Sequence, residues 1–236
     1  MKYLSINEAE SLAGQFRYNA GLSLTEPVNA KTLIRKLGIT AVYRPLSESS
    51  YGIGCKSASG KKFILINSNS TRGRQHFTIA HELYHLFFEE HPAPHMCGQV
   101  SSTEEKNANK FASALLMPRE GLLSMITPDE IANHNIHIAT ILRMEQYFGV
   151  SRNTLLIRLK DVGLISQQRK IELEGVPVKE SALSYGYDLS LYEKGNEGVV
   201  IGDFGEKARR LFESEKISEG HYIELLNMIR DGRTDN

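Results

Sequence analysis

His81-Glu82-Leu83-Tyr84-His85 constrains this chain more than any other segment. Two histidines four residues apart stand one above the other on one face of a helix. Imidazoles so placed share one tetrahedral Zn²⁺, and a glutamate directly after the first, turned about 100° further round, reaches a water at the ion's open position as a general base. The chemistry explains the spacing. A zinc hydrolase needs neutral nitrogen ligands, an open coordination position, and a carboxylate near the water but off the metal.

The flanking residues suit such a helix. Arg74–Glu89 contains neither Gly nor Pro. Phe77, Ile79, Ala80, Leu83, Leu86 and Phe87 cover a broad apolar arc, and His81, Glu82 and His85 occupy most of the remainder. The pattern predicts a largely buried helix with one ionisable stripe. The bland alternative is a solvent-facing polar stripe on an ordinary amphipathic helix.

A catalytic zinc usually takes three protein ligands. Downstream, Ser101–Met117 runs to Pro118, with Ala108, Phe111, Ala112 and Leu115 on one face at helical spacing. Glu104 and Glu105 both project near that face one turn earlier, so either suits the third ligand. Both also suit a capping box, as Ser101-x-x-Glu104 or Ser102-x-x-Glu105. Periodicity alone does not separate them.

Phe77-Thr78-Ile79-Ala80-His81-Glu82-Leu83-Tyr84-His85-Leu86, followed by Glu105-x-x-Ala108-Asn109-x-Phe111-Ala112-x-x-Leu115-Leu116-Met117-Pro118, resembles the ImmA/IrrE family of bacterial and phage metallopeptidases. The resemblance is dense over about 70–120 and clear again from Phe148-Gly149-Val150-Ser151 to Gly163-Leu164-Ile165. It implies a glutamate-type zincin in which His81, His85 and Glu105 hold Zn²⁺ (Mn²⁺ or another divalent ion being accepted by similar sites) and Glu82 is catalytic. Asn109, four residues after the ligand, takes the place of a residue that supports the site from behind. The family's substrates are helix-turn-helix repressors or antitoxins, cleaved to switch on phage, mobile-element or stress genes. Tyr84 departs from the family, which usually has Gly there; it either narrows the cleft or packs.

Bulk properties bound the reading. The 236 residues suit one ordinary domain with an appendage, and 41% hydrophobic residues supply a core. Lys+Arg and Asp+Glu are both 28, which argues against holding nucleic acid mainly by charge. Two cysteines, Cys55 and Cys97, read as reduced thiols of a cytoplasmic protein rather than a disulfide framework. Neither a signal peptide nor a membrane-spanning run is evident.

Helices are expected at Ser5–Ala20 and Val28–Leu37, strand character at Ile39–Tyr43, and a hairpin from Gly52–Lys56 and Lys62–Asn67. The order is α+β: N-terminal helices, a small mostly antiparallel sheet, the zinc helix, and a C-terminal helical portion. An edge strand beside the cleft would suit an extended peptide added as a further strand. Residues 91–100 read as a Pro-rich surface loop, although His91, His95 and Cys97 are metal-donor types. His134 and His137 read as loop histidines.

Ala139–Phe148, Gly149 and Asn153–Leu159 have the layout of a helix-turn-helix, and 139–170 is locally basic, with Arg143, Arg152, Arg158, Lys160, Arg169 and Lys170 against Glu145 and Asp161. As a DNA reader it would use Arg152, Asn153 and Arg158; the preferred reading is a helical hairpin closing the peptidase core. The expected organisation is a metallopeptidase domain at 1–166 and an extension of unreadable role at 167–236. Within it, Val176–Tyr192 reads as irregular or short strands, and Glu206–Glu213 with Glu219–Ile229 as a closing helix pair.

These observations lead to a zinc-dependent endopeptidase acting on one intracellular protein partner. Tyr84, His76 and His134 are candidates to stabilise the oxyanion. The rivals are a DNA-binding regulator using 139–160 and an interaction module that binds a regulator without cutting it.

Overall fold

The first helix, α1 (Ile6–Asn19), is bounded by a closed capping box. The Ser5 hydroxyl accepts from the Glu8 N–H at 3.2 Å, and the Glu8 carboxylate accepts from the Ser5 N–H at 2.7 Å. In the computed structural model, which describes residues 2–89, 95–97 and 102–230, α1 leads into α2 (Ala30–Lys36), β1 (Ile39–Arg44), β2 (Gly52–Lys56) and β3 (Lys62–Asn67). There follow α3 (Arg72–Phe88), β4 (His95–Cys97), α4 (Thr103–Leu116), α5 (Arg119–Leu123) and α6 (Pro128–Ala132). Next come α7 (Ile138–Phe148), α8 (Arg152–Asp161), α9 (Gln167–Glu174), α10 (Val178–Ser184), β5 (Val200–Ile201), α11 (Phe204–Glu213) and α12 (Glu219–Arg230). The fold is α+β.

The strands form one sheet in the order β4-β2-β3-β1-β5. β2 and β3 make the expected hairpin, with Gly52 opposite Ile66. β1 runs parallel to β3, and the other three pairings among the described strands are antiparallel. α3 lies against β2 and β3 and packs on α4, which in turn packs on α1. Phe16, Phe88 and Phe111 meet between these helices with ring centroids 5.2–6.2 Å apart, and Ile64 and Ile66 are fully buried from the sheet side.

One expectation about the sheet is corrected. Residues 95–97 are a strand, not loop, and they pair with β2 from Gly52 to Gly54. β2 is therefore covered on that side, and β4 is the outer strand, because β2's unpaired backbone groups find partners in the segment following α3. His91 lies outside the described residues, as do the side chains of His95 and Cys97.

α7 and α8 have the helix, turn, helix layout read from the sequence. Gly149 ends α7 with φ 64°, in the left-handed region where glycine carries no steric penalty, and the Ser151 hydroxyl caps α8 by accepting from the Thr154 N–H at 3.3 Å. Both arginines offered as base readers point inward. Arg152 is 4% exposed and paired with the fully buried Glu145, which also accepts from the Tyr192 hydroxyl at 2.6 Å. Arg158 is 3% exposed and donates to the Met117 carbonyl at 3.0 Å and the Glu10 carboxylate at 2.5 Å. Neither reaches a base edge, so of the three proposed readers only Asn153 is exposed. The local basic count favoured only the alternative reading, and these two charges are internally paired.

The segment from α9 onward ties back to this unit. β5 pairs with β1, Leu173 joins the core, and the Asn196 amide donates to Gln75 Oε1 at 2.7 Å. Val176–Tyr192, expected as irregular or strand, contains α10 and a 3₁₀ turn at Ser190–Tyr192. Burial of Ala182 against Leu142 and Tyr192 selects the helix, a contact no local pattern announces. α11 and α12 form the expected pair, with Phe212 stacked on Tyr222 at 4.8 Å.

Burial raises the Glu145 pKa and the Arg152 charge opposes it. Arg152→Ala would leave that carboxylate buried without its cation, and the expected loss is about 3–5 kcal/mol of folding stability by denaturant titration. Arg152→Met with Glu145→Leu should lose much less, since no buried charge is stranded. Equal midpoints for Arg152→Ala and the parent would refute this role.

Candidate metal centre

α3 carries three ionisable side chains into the interior: His81 and His85 are each 5% exposed and Glu82 is fully buried. α4 meets this stripe at its first turn. Ser102 caps α4 by accepting from the Glu105 backbone N–H at 3.2 Å, while the Glu105 side chain is directed at the histidines. Cap and ligand geometry thus coexist, since one uses the backbone and the other the carboxylate. The group of donors is His81, His85 and Glu105; Glu104 is half-buried outside it.

The donor spacings form a small triangle. His81 Nε2 and His85 Nε2 are 3.0 Å apart, His81 Nε2 lies 3.3 Å from Glu105 Oε2, and His85 Nε2 lies 3.6 Å from Glu105 Oε1. A tetrahedral ion ~2.0–2.1 Å from each donor separates them by ~3.3 Å. The far side of each ring is occupied by an acceptor. Asn109 Oδ1 sits 3.0 Å from His81 Nδ1, and Glu89 Oε2 sits 2.9 Å from His85 Nδ1. The Asn109 acceptor favours the His81 ring proton on Nδ1, the Glu89 carboxylate lies within ion-pair reach of His85 Nδ1, and the two Nε2 atoms face each other, an arrangement that a cation between them stabilises. The residues fit a divalent metal.

Glu89 was not singled out from the sequence. Its position four residues after His85 was the available signal, since i and i+4 share a helix face. Asn109 lies against His81 Nδ1, at the place the resemblance gave it.

Glu82 owes its place to β2. A Cβ on Gly54 would come within 2.5 Å of Glu82 Oε2, and one on Gly52 within 3.1 Å of Oε1. Two glycines at alternate strand positions open one face of the strand, and the carboxylate sits there. Cys55, next along the strand, has its thiol pKa pushed up, first by burial and then by the Glu82 charge.

A cavity of about 390 Å³ opens onto His81 and Glu105 between α3, α4 and α8. Its lining includes Tyr51, Phe77, Thr78, Asn109, Asn153 and Ile157. None of the three oxyanion candidates lines it. Tyr84 packs: it is 2% exposed, against Phe88 and Phe111 at 5.6 and 5.7 Å. His76 faces the Gly149 carbonyl at 3.0 Å, and burial lowers its pKa. His134 and His137 are exposed around the turn between α6 and α7. Tyr51, immediately before β2, carries no motif and became visible only as part of the cavity.

Among the described residues no helix is long and apolar enough to cross a membrane. The Peptidase_M78 family model, an IrrE N-terminal-like domain, matches residues 34–160, more than half of the chain. The match spans the sheet strands β1 to β3, both motif helices and nearly all of the α7–α8 hairpin. No curated protein matches the chain.

Proposed function

Since the chain belongs to the IrrE N-terminal-like peptidase family, we propose that it is a zinc-dependent endopeptidase in which His81, His85 and Glu105 hold the ion and Glu82 is the general base. One observation carries this reading: two buried Nε2 atoms face each other at 3.0 Å, each with Nδ1 against an acceptor, and Glu105 closes the triangle. When bound, a divalent ion supplies Lewis acidity, polarising a peptide carbonyl and making water more acidic.

The protein's own groups do the rest. Asn109 and Glu89 hold the two rings in the tautomer that presents Nε2. Glu82 takes a proton from the attacking water and delivers it to the leaving amine. Its burial against β2 keeps it from exchanging that proton with bulk solvent and fixes its direction. The scissile peptide enters through the cavity beside His81 and Glu105, where Asn153 and Tyr51 offer polar groups. The substrate reading, a helix-turn-helix repressor or antitoxin, rests on the family's habit. The inward-turned Arg152 and Arg158 weigh against the DNA-binding alternative.

The test of the ligand set separates adjacent glutamates. Purified protein should carry about one zinc per chain by metal analysis. Glu105→Gln should lose most zinc affinity, whereas Glu104→Gln should bind zinc as the parent does. The reverse result would move the third ligand by one residue and break the geometric argument.

A further inference from the structure

The cavity beside the metal centre has a wall that the chemistry above leaves unused. α8 contributes Asn153, Thr154 and Ile157 to it, on the outward face of the helix whose inward face holds Arg152 and Arg158. Ile157 is 42% exposed, an apolar side chain facing a pocket that ends at two metal-ligating residues. Opposite it stand Phe77, one turn before His81 with ring centroids 6.5 Å apart, and Thr78. At about 390 Å³ the space is of the size that takes a ligand group.

Several polar groups on its lining already have contacts of their own. The Arg74 guanidinium lies 3.8 Å over the Tyr51 ring. Lys110 Nζ donates to the Leu4 carbonyl at 2.5 Å and sits 3.6 Å over the Tyr3 ring. Asp161 lies 3.6 Å from Lys160 Nζ, and the Thr154 hydroxyl is 2.9 Å from that of Ser151. Lys110 already has a backbone acceptor, so it gains little from a charged guest, while an apolar guest meets Phe77 and Ile157 directly.

We propose that this cavity is the subsite for the side chain flanking the scissile bond, that it selects a large aliphatic or aromatic one, and that Ile157 is its specificity-determining residue. This rests on the metallopeptidase reading above. It also brings α8 into substrate recognition, since the second helix of the hairpin is the wall of the cleft.

Amino-acid hydroxamates test this without a known substrate, because the hydroxamate anchors on the metal and leaves the side chain to probe the adjoining space. Affinity for zinc-loaded protein is measured for the alanine, leucine, phenylalanine and aspartate hydroxamates. Leucine and phenylalanine hydroxamates should bind ~10-fold or more tighter than the alanine compound, the scale of missing methylenes in an apolar pocket. The aspartate compound should be weakest. Ile157→Asp should erase the preference with zinc content unchanged, and Ile157→Val should keep it. Zinc-loaded protein that binds all four alike or not at all, or an Ile157→Asp variant with the parent's ranking, would overturn the subsite alone. A parent protein that takes up no zinc would overturn the metal reading, and the subsite with it.

Discussion

Glu82→Gln should leave zinc content at the parent level while cleavage of the protein partner falls by ~10²–10⁴, the scale of a lost general base. The substitution isolates the chemistry. Glutamine has the size of glutamate, so it fits the space that Gly52 and Gly54 leave beside α3, where the carboxylate is fully buried. It takes up no proton at neutral pH, and Glu82 is not among the three clustered donors. The variant should still bind its partner and so trap the uncut complex, which a pull-down with the product of the neighbouring gene would reveal. Cleavage at the parent rate would remove Glu82 from the mechanism. Loss of zinc together with activity would instead make it a ligand, contrary to the assignment.

His81→Ala or His85→Ala should abolish zinc binding outright, with a consequence for stability as well as activity. Each variant deletes one of the two nitrogens that face each other at 3.0 Å and leaves Glu105, only 7% exposed, directed at an incomplete site. A metal bound only by the native state stabilises it by about 4 kcal/mol when present at a thousand times its dissociation constant. Chelator should therefore lower the melting temperature of the parent, and zinc should restore it. The histidine variants should melt at one temperature with or without zinc. Full zinc occupancy in the double variant would sink the site.

Much of this site was legible along the chain because its parts are local. The His81/Glu82/His85 stripe lies within one helix, and the apolar arc that buries it has helical period. The β2–β3 hairpin was readable because strand and turn signals are adjacent. Glu105 was not separable from Glu104 by periodicity, since residues one apart on a first turn both lie near the same face. The resemblance to a family chose Glu105; in the fold Ser102 accepts from its backbone N–H while its carboxylate lies against the histidines.

The misreadings share a cause. For the DNA-reading alternative, which was not the preferred one, Arg152 and Arg158 were the candidates because local counting ignores partners, and Glu10, which meets Arg158, is 148 residues away in sequence. α10 looked like strand because its helical face is short and is decided by burial against α7 and Tyr192. β4 and β5 are too short to announce themselves; their hydrogen-bonding partners lie elsewhere in the chain.

By itself the sequence determined a buried helix with one ionisable stripe, the donor types it carries, and an α+β order, since each is written in side-chain type and local period. Only the tertiary structure decided which carboxylate supports His85, which glycines admit Glu82, and which face of α8 looks into the cleft. Period says that a side chain has an inside and an outside. What it meets there depends on segments brought together by burial of apolar surface, and that is a property of the whole packed chain.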